Sequence, residues 1–494
     1  MKFQVKDIKS KPATVGLVLC YFAKEKPSVH PLYKFVTAAD KKQVERLFKA
    51  KEFSSGEKQS QVILGAQKKK ILLIGLGEKK NWNLRHAVLA ARRITNLAKN
   101  YKVKSVTIGL ETLAASGVSS ERLAQTVTEN MVLADYVFNQ YKKDKGEQFT
   151  VNQAVLAVSK MALKSVSAGV KIGEVVGAQV NYARDLGNTP GGEMTPTLLA
   201  NRAKEVGRVN HIKVTVLNQK QMEANKMGAI LGVAKGSSEE PKFIIMEYYG
   251  GKKNDAPFVF VGKGVTFDTG GLNLKPEDHM LDMWMDMCGG AAVISALGAI
   301  AKLKLPVNVI GLVPAVENMP GGAGYRPGDL LKSLSGKYIE VLNTDAEGRV
   351  ILADALTYAE KYKPRLVVDV ATLTGACMVA LGAQAAGLFT PDDKIANELL
   401  TAGEISGDYL WRLPLWEEYA DEVKGTFGDV QNMGKSRYGG AITAAMFLYQ
   451  FAKKYPWVHI DIAGTMKAVD GQGLAKGATG TGTRVLIELA KNYK

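Results

Sequence analysis

The sequence predicts an α/β protein of two domains, a smaller N-terminal one and a larger C-terminal one built on a mixed central sheet. Three observations predict it. The chain has 494 residues, beyond the usual size of a single domain. An apolar share of 46% can fill more than one core. Short β-branched runs alternate with stretches of helical periodicity along nearly the whole length, the pattern of strands covered by helices.

In order, Val15–Tyr21 reads as a strand and Ala39–Ala50 as an amphipathic helix through Val44, Leu47 and Phe48. Gln61–Leu64 and Ile71–Leu76 read as strands, Asn83–Lys99 as a helix, Val103–Leu110 as a strand and Ser120–Tyr141 as a longer helix. Phe149–Val158 is a last strand before a boundary near residue 160. Gly75 and Gly77 sit in GLGEKK, which lacks the third glycine of a dinucleotide fingerprint and is better explained as a strand-ending turn. Ala162–Leu186 is a helix interrupted or bent at its glycines, so residues 161–185 are expected to link the first domain (1–160) to a second (186–494). There, after the breaker-rich GNTPGGEMTP, helices are predicted at Pro196–Val206, Lys220–Met227, Met285–Leu303, Val350–Tyr362 and Gly440–Tyr455, with a short one within Asp392–Gly407. Strands are predicted at His211–Leu217, Lys242–Tyr249, Phe258–Gly262, Val307–Val313, Leu366–Val370 and His459–Ile462.

The 65 basic and 48 acidic residues give a net charge of +17, a field that attracts nucleic acid or other polyanions without identifying one. Solvated faces account for runs such as Lys68, Lys69 and Lys70, or Lys142, Lys143 and Lys145, since no zinc-finger or aromatic–basic pattern accompanies them. DNA binding, alone or as a second role, is therefore the competing class. Cys20, Cys288 and Cys377 are few and far apart, which favours reduced thiols and a cytoplasmic setting. Charges interrupt the N-terminus too early for a signal peptide, and no uninterrupted apolar run has membrane-spanning length, so no membrane association is expected.

Chemistry concentrates between Val259 and Tyr358. Lys263, Asp268, Lys275 and Asp286 fall around a strand end and glycine-rich turns; Asp345, Glu347 and Arg349 alternate just before a predicted helix. Four carboxylates suffice to neutralise two divalent cations, and Asp345 and Glu347, two apart, project together if their segment is extended. Lys263 can join them only as a neutral amine. Oxygen ligands with one amine suit manganese, magnesium, zinc or cobalt. Two such ions about 3.5–4 Å apart share a water and polarise a peptide carbonyl, the requirements of amide hydrolysis. Lys275 is suited to stabilise oxyanion charge, and Arg349 to hold a small proton-relaying anion at a helix start. The competing explanation is a set of salt bridges and turns. None of the five histidines forms HExxH, and no nucleophile motif for a serine or cysteine triad is present.

VGKGVTFDTGG, WMDMCGG and NTDAEGR are similar to the characteristic segments of the leucyl aminopeptidases, peptidase family M17, and the resemblance extends over nearly the whole chain. It implies that Lys263, Asp268, Asp286, Asp345 and Glu347 hold two metal ions per subunit, Mn2+ foremost with Zn2+ or Mg2+ as alternatives, and that Asp268 and Glu347 bridge them. It implies that Lys275 and Arg349 are catalytic, the latter positioning a bicarbonate-like anion. Met283, Thr372, Gly375, Ala463 and Met466 are implied to surround the substrate's first side chain, an apolar, deformable set suited to leucine or methionine, with Asn343 and Leu373 near its amine or backbone. The resemblance further implies a homo-hexamer, a dimer of trimers, acting on short or unfolded peptides with a free N-terminus. FDTGG replaces the family's FDSGG, and Val350 its usual leucine; neither change removes a ligand.

Overall fold

The computed structural model describes residues 1–65, 69–144 and 149–493. Lys68 and Lys145 lie outside them. The chain divides into two compact units, Met1–Ala178 with Asp470–Ala475, and Gln179–Val469 with Lys476–Lys494. Both are α/β.

The first unit holds β1 (Lys2–Asp7), β2 (Gly16–Tyr21), β3 (Ser60–Leu64), β4 (Lys70–Gly75), β5 (Ser105–Gly109) and β6 (Gln153–Val158) in the order β1-β6-β5-β2-β4-β3. All neighbours are parallel except β3 and β4. β1 was not expected; its alternation of lysines with Phe3 and Val5 is that of a half-exposed edge strand. The helix Ser120–Asp135 stops six residues short of the expected Tyr141, because Tyr136 adopts extended backbone.

The glycines of the helix Leu163–Asn188 neither interrupt nor end it. Gly169, Gly173 and Gly177, one turn apart, let the helix Ser120–Asp135 approach. A Cβ on Gly169 would lie 2.1 Å from Glu121 O, on Gly173 2.7 Å from Gln125 O, and on Gly177 3.0 Å from Val132 Cβ. Gly169→Val is expected to cost about 3 kcal/mol or more, at the upper end of overpacking, because a backbone carbonyl must move. Thermal unfolding with and without the substitution measures it.

The second unit contains β7 (Lys213–Leu217), β8 (Lys242–Tyr249), β9 (Phe258–Gly262), β10 (Gly264–Asp268), β11 (Asn308–Asn318), β12 (Leu330–Lys332), β13 (Tyr338–Glu340), β14 (Leu366–Ala371), β15 (Ala386–Phe389), β16 (Leu410–Arg412), β17 (Val430–Gln431) and β18 (Trp457–Asp461). The main sheet runs β16-β15-β18-β14-β9-β11-β8-β7, with β10 also on β11; β12, β13 and β17 form a small second sheet. β18, β14, β9 and β11 are mutually parallel, whereas β8, β7 and β15 introduce antiparallel pairs. The sheet is mixed, as expected.

Two helices differ from expectation in ways that bear on the chemistry. The helix expected from Val350 starts three residues earlier, spanning Glu347–Ala359, so Glu347 and Arg349 lie in its first turn. Asp345 and Glu347 therefore do not alternate on extended chain. Asp345 occupies the turn before the helix, with its N–H donating to Asn343 Oδ1 (2.7 Å). The helix expected from Met285 starts three residues later, spanning Cys288–Lys302, so Asp286 lies ahead of it; the helix is almost wholly buried. Among the described residues, the segment Glu277–Lys302 is the one with the length and mean hydropathy (1.4) of a membrane span, but 89% of that window is buried, as in a core helix.

Candidate metal centre

The carboxyl ends of the parallel strands converge on one cavity of about 600 Å³. Lys263 follows β9, Asp268 ends β10, and Thr372 follows β14. Asp286 closes a single turn, Met283–Met285, ahead of the buried helix Cys288–Lys302. Glu347 and Arg349 enter from the first turn of Glu347–Ala359. Close packing fixes this arrangement: a Cβ on Gly348 would lie 2.6 Å from Lys263 Cε, and one on Gly289 2.1 Å from Val370 O. Asp268 leads into two residues of left-handed backbone, Gly270 (φ 88°) and Gly271 (φ 64°), which turn the chain back so that Lys275 reaches the same place.

Lys263 Nζ stands 2.7 Å from Asp286 Oδ2 and 2.8 Å from Glu347 Oε1, and donates to Thr372 O (2.9 Å). Lys275 Nζ stands 2.8 Å from Asp268 Oδ2 and also pairs with Asp345 Oδ1. Asp268, Asp286 and Glu347 are buried and each offers an oxygen within 4.8 Å of the others. Asp286 Oδ2, Asp345 Oδ1 and Glu347 Oε1 are buried yet accept no hydrogen bond of good direction, although each has a lysine nitrogen close by. Short contact without donor alignment marks these oxygens as suited to a central cation.

The electrostatics agree. Burial raises Asp268 to about 6, with the charge of Glu347 adding and Lys275 and Lys263 opposing. Burial likewise lifts Asp286 well above the usual carboxylate range, against the pull of Lys263, and lifts Asp345 with the help of Glu347. Burial opposes ionisation of Glu347 too, but Lys263 and Lys275 outweigh it and hold it below its ordinary value. Both lysines are raised: burial works against their charge, and the surrounding carboxylates overcome it. So much buried negative charge calls for cations beyond the two ammonium groups.

Arg349 lines the cavity, donates from Nη1 to Asn432 O (2.9 Å) and leaves Nε without a partner. Burial pulls its guanidinium down to about 10, against the charges of Glu347, Asp461 and Asp345, and it stays cationic at neutral pH. Away from the cluster one part of the wall is apolar, with Met283, Leu373, Gly375, Met378, Val379, Ala463 and Met466 beside Thr372, while Asp278, His279 and Asp282 line another part. Of the residues singled out from sequence, Asn343 alone does not line the cavity; its side chain turns onto Asp345 N.

Sequence reasoning missed the residues that orient these groups. Asn318 ends β11 in register with Asp268. Its amide nitrogen donates to Asp268 Oδ1 (2.8 Å) and to Thr344 O (3.0 Å), tying the two acidic turns together. Tyr325 also donates to Thr344 O (2.6 Å), and Asn432 holds Leu342 N, Asn343 O and Arg349. Neutral amides and a tyrosine carry no spacing signature, so only strand register reveals them. Asn318→Ala is expected to weaken divalent-ion binding about 10–100-fold, the usual effect of losing an orienting partner. Titration calorimetry of the metal-stripped protein reads this directly.

The model of the cytosol aminopeptidase family, catalytic domain, matches residues 181–487, and that of the same family's N-terminal domain matches residues 16–145. A protein of Roseiflexus castenholzii named probable cytosol aminopeptidase is 45% identical over 431 residues, covering 86% of this chain and 87% of that one. One of Azoarcus sp., with the same name, is 47% identical over 402 residues, covering 79% and 80%. The solved structure of the bottromycin maturation enzyme BotP in complex with Mn is similar with a TM-score of 0.84 at 31% identity, covering 97% of this chain and 99% of that one. With the acidic cluster at the strand ends, these matches show that the chain belongs to the cytosol aminopeptidase family and is a metal-dependent aminopeptidase.

Proposed function

We propose that the protein releases single, preferably apolar, amino acids from the free N-terminus of short or unfolded peptides, with two divalent ions held by Lys263, Asp268, Asp286, Asp345 and Glu347. The observation that carries this reading is the gathering of buried carboxylate oxygens that accept no hydrogen bond of good direction, in a cavity with an apolar part to its wall. Four carboxylates match the charge of two divalent ions, and an oxygen set with one amine suits manganese, with zinc or magnesium as alternatives. BotP's structure with Mn supports the first choice. When bound, such ions supply Lewis acidity toward a peptide carbonyl and a water acidified for attack.

The chain's own groups divide the remaining work. The surrounding carboxylates alone keep Lys263 protonated; to hold an ion it would have to give up that proton and offer a neutral amine. Lys275 keeps its charge and opposes negative charge developing on the carbonyl oxygen. Arg349, with its free Nε in the first turn of a 13-residue helix, would hold a bicarbonate-like anion, which would supply proton-transfer capacity beside the scissile bond. The peptide's first side chain fills the apolar end, where methionines and small residues leave room for leucine or methionine. A cytoplasmic location follows the relatives' name, and a homo-hexamer, a dimer of trimers, would limit access to short or unfolded peptides.

The test is turnover of a leucine-terminated peptide, free and N-acetylated, by protein stripped of metal and reloaded with Mn2+, Zn2+ or Mg2+. Metal-dependent release of leucine from the free peptide alone is expected. Equal cleavage of the acetylated peptide contradicts anchoring through the free amine. No cleavage at all, with a salt-sensitive DNA mobility shift that persists in Glu347→Ala, favours the nucleic-acid alternative.

A further inference from the structure

We infer that Asp461, which does not line the cavity, is the positioning residue that holds the two walls of the first side-chain pocket together and thereby sets the preference for a large apolar N-terminal residue. This deepens the aminopeptidase reading and rests on it.

β14 and β18 lie side by side in parallel, with Ala371 opposite Asp461 at their carboxyl ends. Beyond that pair the ladder ends and the chain turns away in two loops, Thr372–Gly375 after β14 and Ile462–Met466 after β18. Both supply cavity wall: Thr372, Leu373 and Gly375 from one, Ala463 and Met466 from the other. Loops leaving neighbouring strands have no ladder to keep their spacing. Asp461 provides the link. Its carboxylate is fully buried and accepts four hydrogen bonds, from Leu373 N (3.2 Å), Thr374 N (3.4 Å), Thr374 Oγ1 (2.7 Å) and Ala463 N (3.1 Å). Three go to Oδ1 and draw on both loops; the fourth, at Oδ2, fixes the Thr374 hydroxyl. That hydroxyl also accepts from Cys377 N and so starts the helix Gly375–Leu381, which carries Met378 at the cavity wall.

One buried carboxylate therefore sets the gap between Leu373 and Ala463, across which a substrate side chain must fit. The metal-binding carboxylates stand on other elements; the loop touches them through Thr372, whose hydroxyl donates to Asp286 Oδ1 (2.6 Å) and whose carbonyl accepts from Lys263, and Asp461 bonds Leu373, Thr374 and Ala463 rather than Thr372. Loss of Asp461 should damage discrimination among N-terminal residues while leaving metal content alone. A glycine-terminated peptide reports on the chemistry without filling the pocket, and a leucine-terminated one reports on both.

The experiment compares kcat/KM for Leu- and Gly-terminated peptides in the metal-loaded wild type, Asp461→Ala, Asp461→Asn and Thr374→Val, with bound metal measured by elemental analysis. In Asp461→Ala the Leu-to-Gly ratio is expected to fall at least about tenfold, the scale on which an apolar pocket discriminates, mainly through KM for the leucine peptide and at unchanged metal content. Asp461→Asn keeps an oxygen for the three N–H donors and is expected to restore the ratio to within about threefold of wild type. Thr374→Val keeps the shape but loses the hydroxyl bond, and shifts the ratio in the same direction as Asp461→Ala; it carries the test if the alanine variant does not fold. A wild type that releases no residue from either peptide removes the aminopeptidase reading and this inference with it. An active wild type whose ratio is the same in all folded variants overturns this inference alone.

Discussion

Glu347→Ala is expected to lower kcat/KM on a leucine-terminated peptide by about 10³-fold or more, equivalent to about 4 kcal/mol of transition-state stabilisation, and to bind fewer divalent ions per chain. Glu347 is the carboxylate on which the whole cluster turns. It is buried, its Oε1 lies 2.8 Å from Lys263 Nζ out of good hydrogen-bond direction, and its charge acts on Asp268, Asp286, Asp345, Lys263 and Lys275 alike. Outer residues that merely orient a ligand cost about 10–100-fold when lost, so a group at the centre should exceed that range. Elemental analysis after dialysis gives the metal count, and urea unfolding of the stripped proteins separates loss of metal from loss of fold. A variant with wild-type metal content and activity would remove Glu347 from the centre.

Much of this architecture was legible in the sequence, for identifiable reasons. Strands buried on both faces, such as Phe258–Gly262 and, apart from Asp369, Leu366–Ala371, read as apolar runs because helices cover both sides of the sheet. Glycine turns beside charged residues marked the places where strands end and chemistry begins. Helix starts were less legible. Glu347 and Arg349 looked like loop residues because charged side chains near an apolar run suggest a solvent-facing boundary, yet both are buried in the first helical turn. Only a charged partner elsewhere in the fold makes that burial tolerable, and periodicity does not register such partners. The glycines of Leu163–Asn188 misled for a related reason: local propensity marks them as breaks, whereas close packing against another helix selects them.

The short strands β15, β16 and β17, of four, three and two residues, lack the length to generate a pattern. Asp461 shows the limit most clearly. In sequence it is an acidic residue closing an apolar run, easily taken for the polar end of a strand. Its function in the fold comes from Leu373 and Thr374, almost ninety positions away, and becomes visible only once β14 and β18 are neighbours. The candidate ligands left motifs because they fall in two short segments, 263–286 and 345–349; the residues that hold them in place are scattered along the chain and meet only in space.

Lys275→Met is expected to reduce kcat about 10²–10³-fold with little change in KM for the leucine peptide, the signature of a group that acts on charge formed after binding. Methionine approximates the length and apolar stem of lysine, so the change is close to removal of the ammonium alone. Lys275 reaches the cavity from beyond the Gly270–Gly271 turn and contacts Asp268 and Asp345 without burying itself as deeply as Lys263. Its side chain is 13% exposed against 3% for Lys263, so the two lysines are not equivalent. In the proposed reaction the more exposed ammonium is the better placed to meet an oxyanion, whereas the deeper one, between Asp286 and Glu347, is the proposed metal ligand. Lys263→Met should accordingly lower divalent-ion affinity in calorimetry, whereas Lys275→Met should leave that affinity near wild type and lower turnover. Loss of metal binding in Lys275→Met, with retained turnover in Lys263→Met, would reverse the assignment of the two lysines.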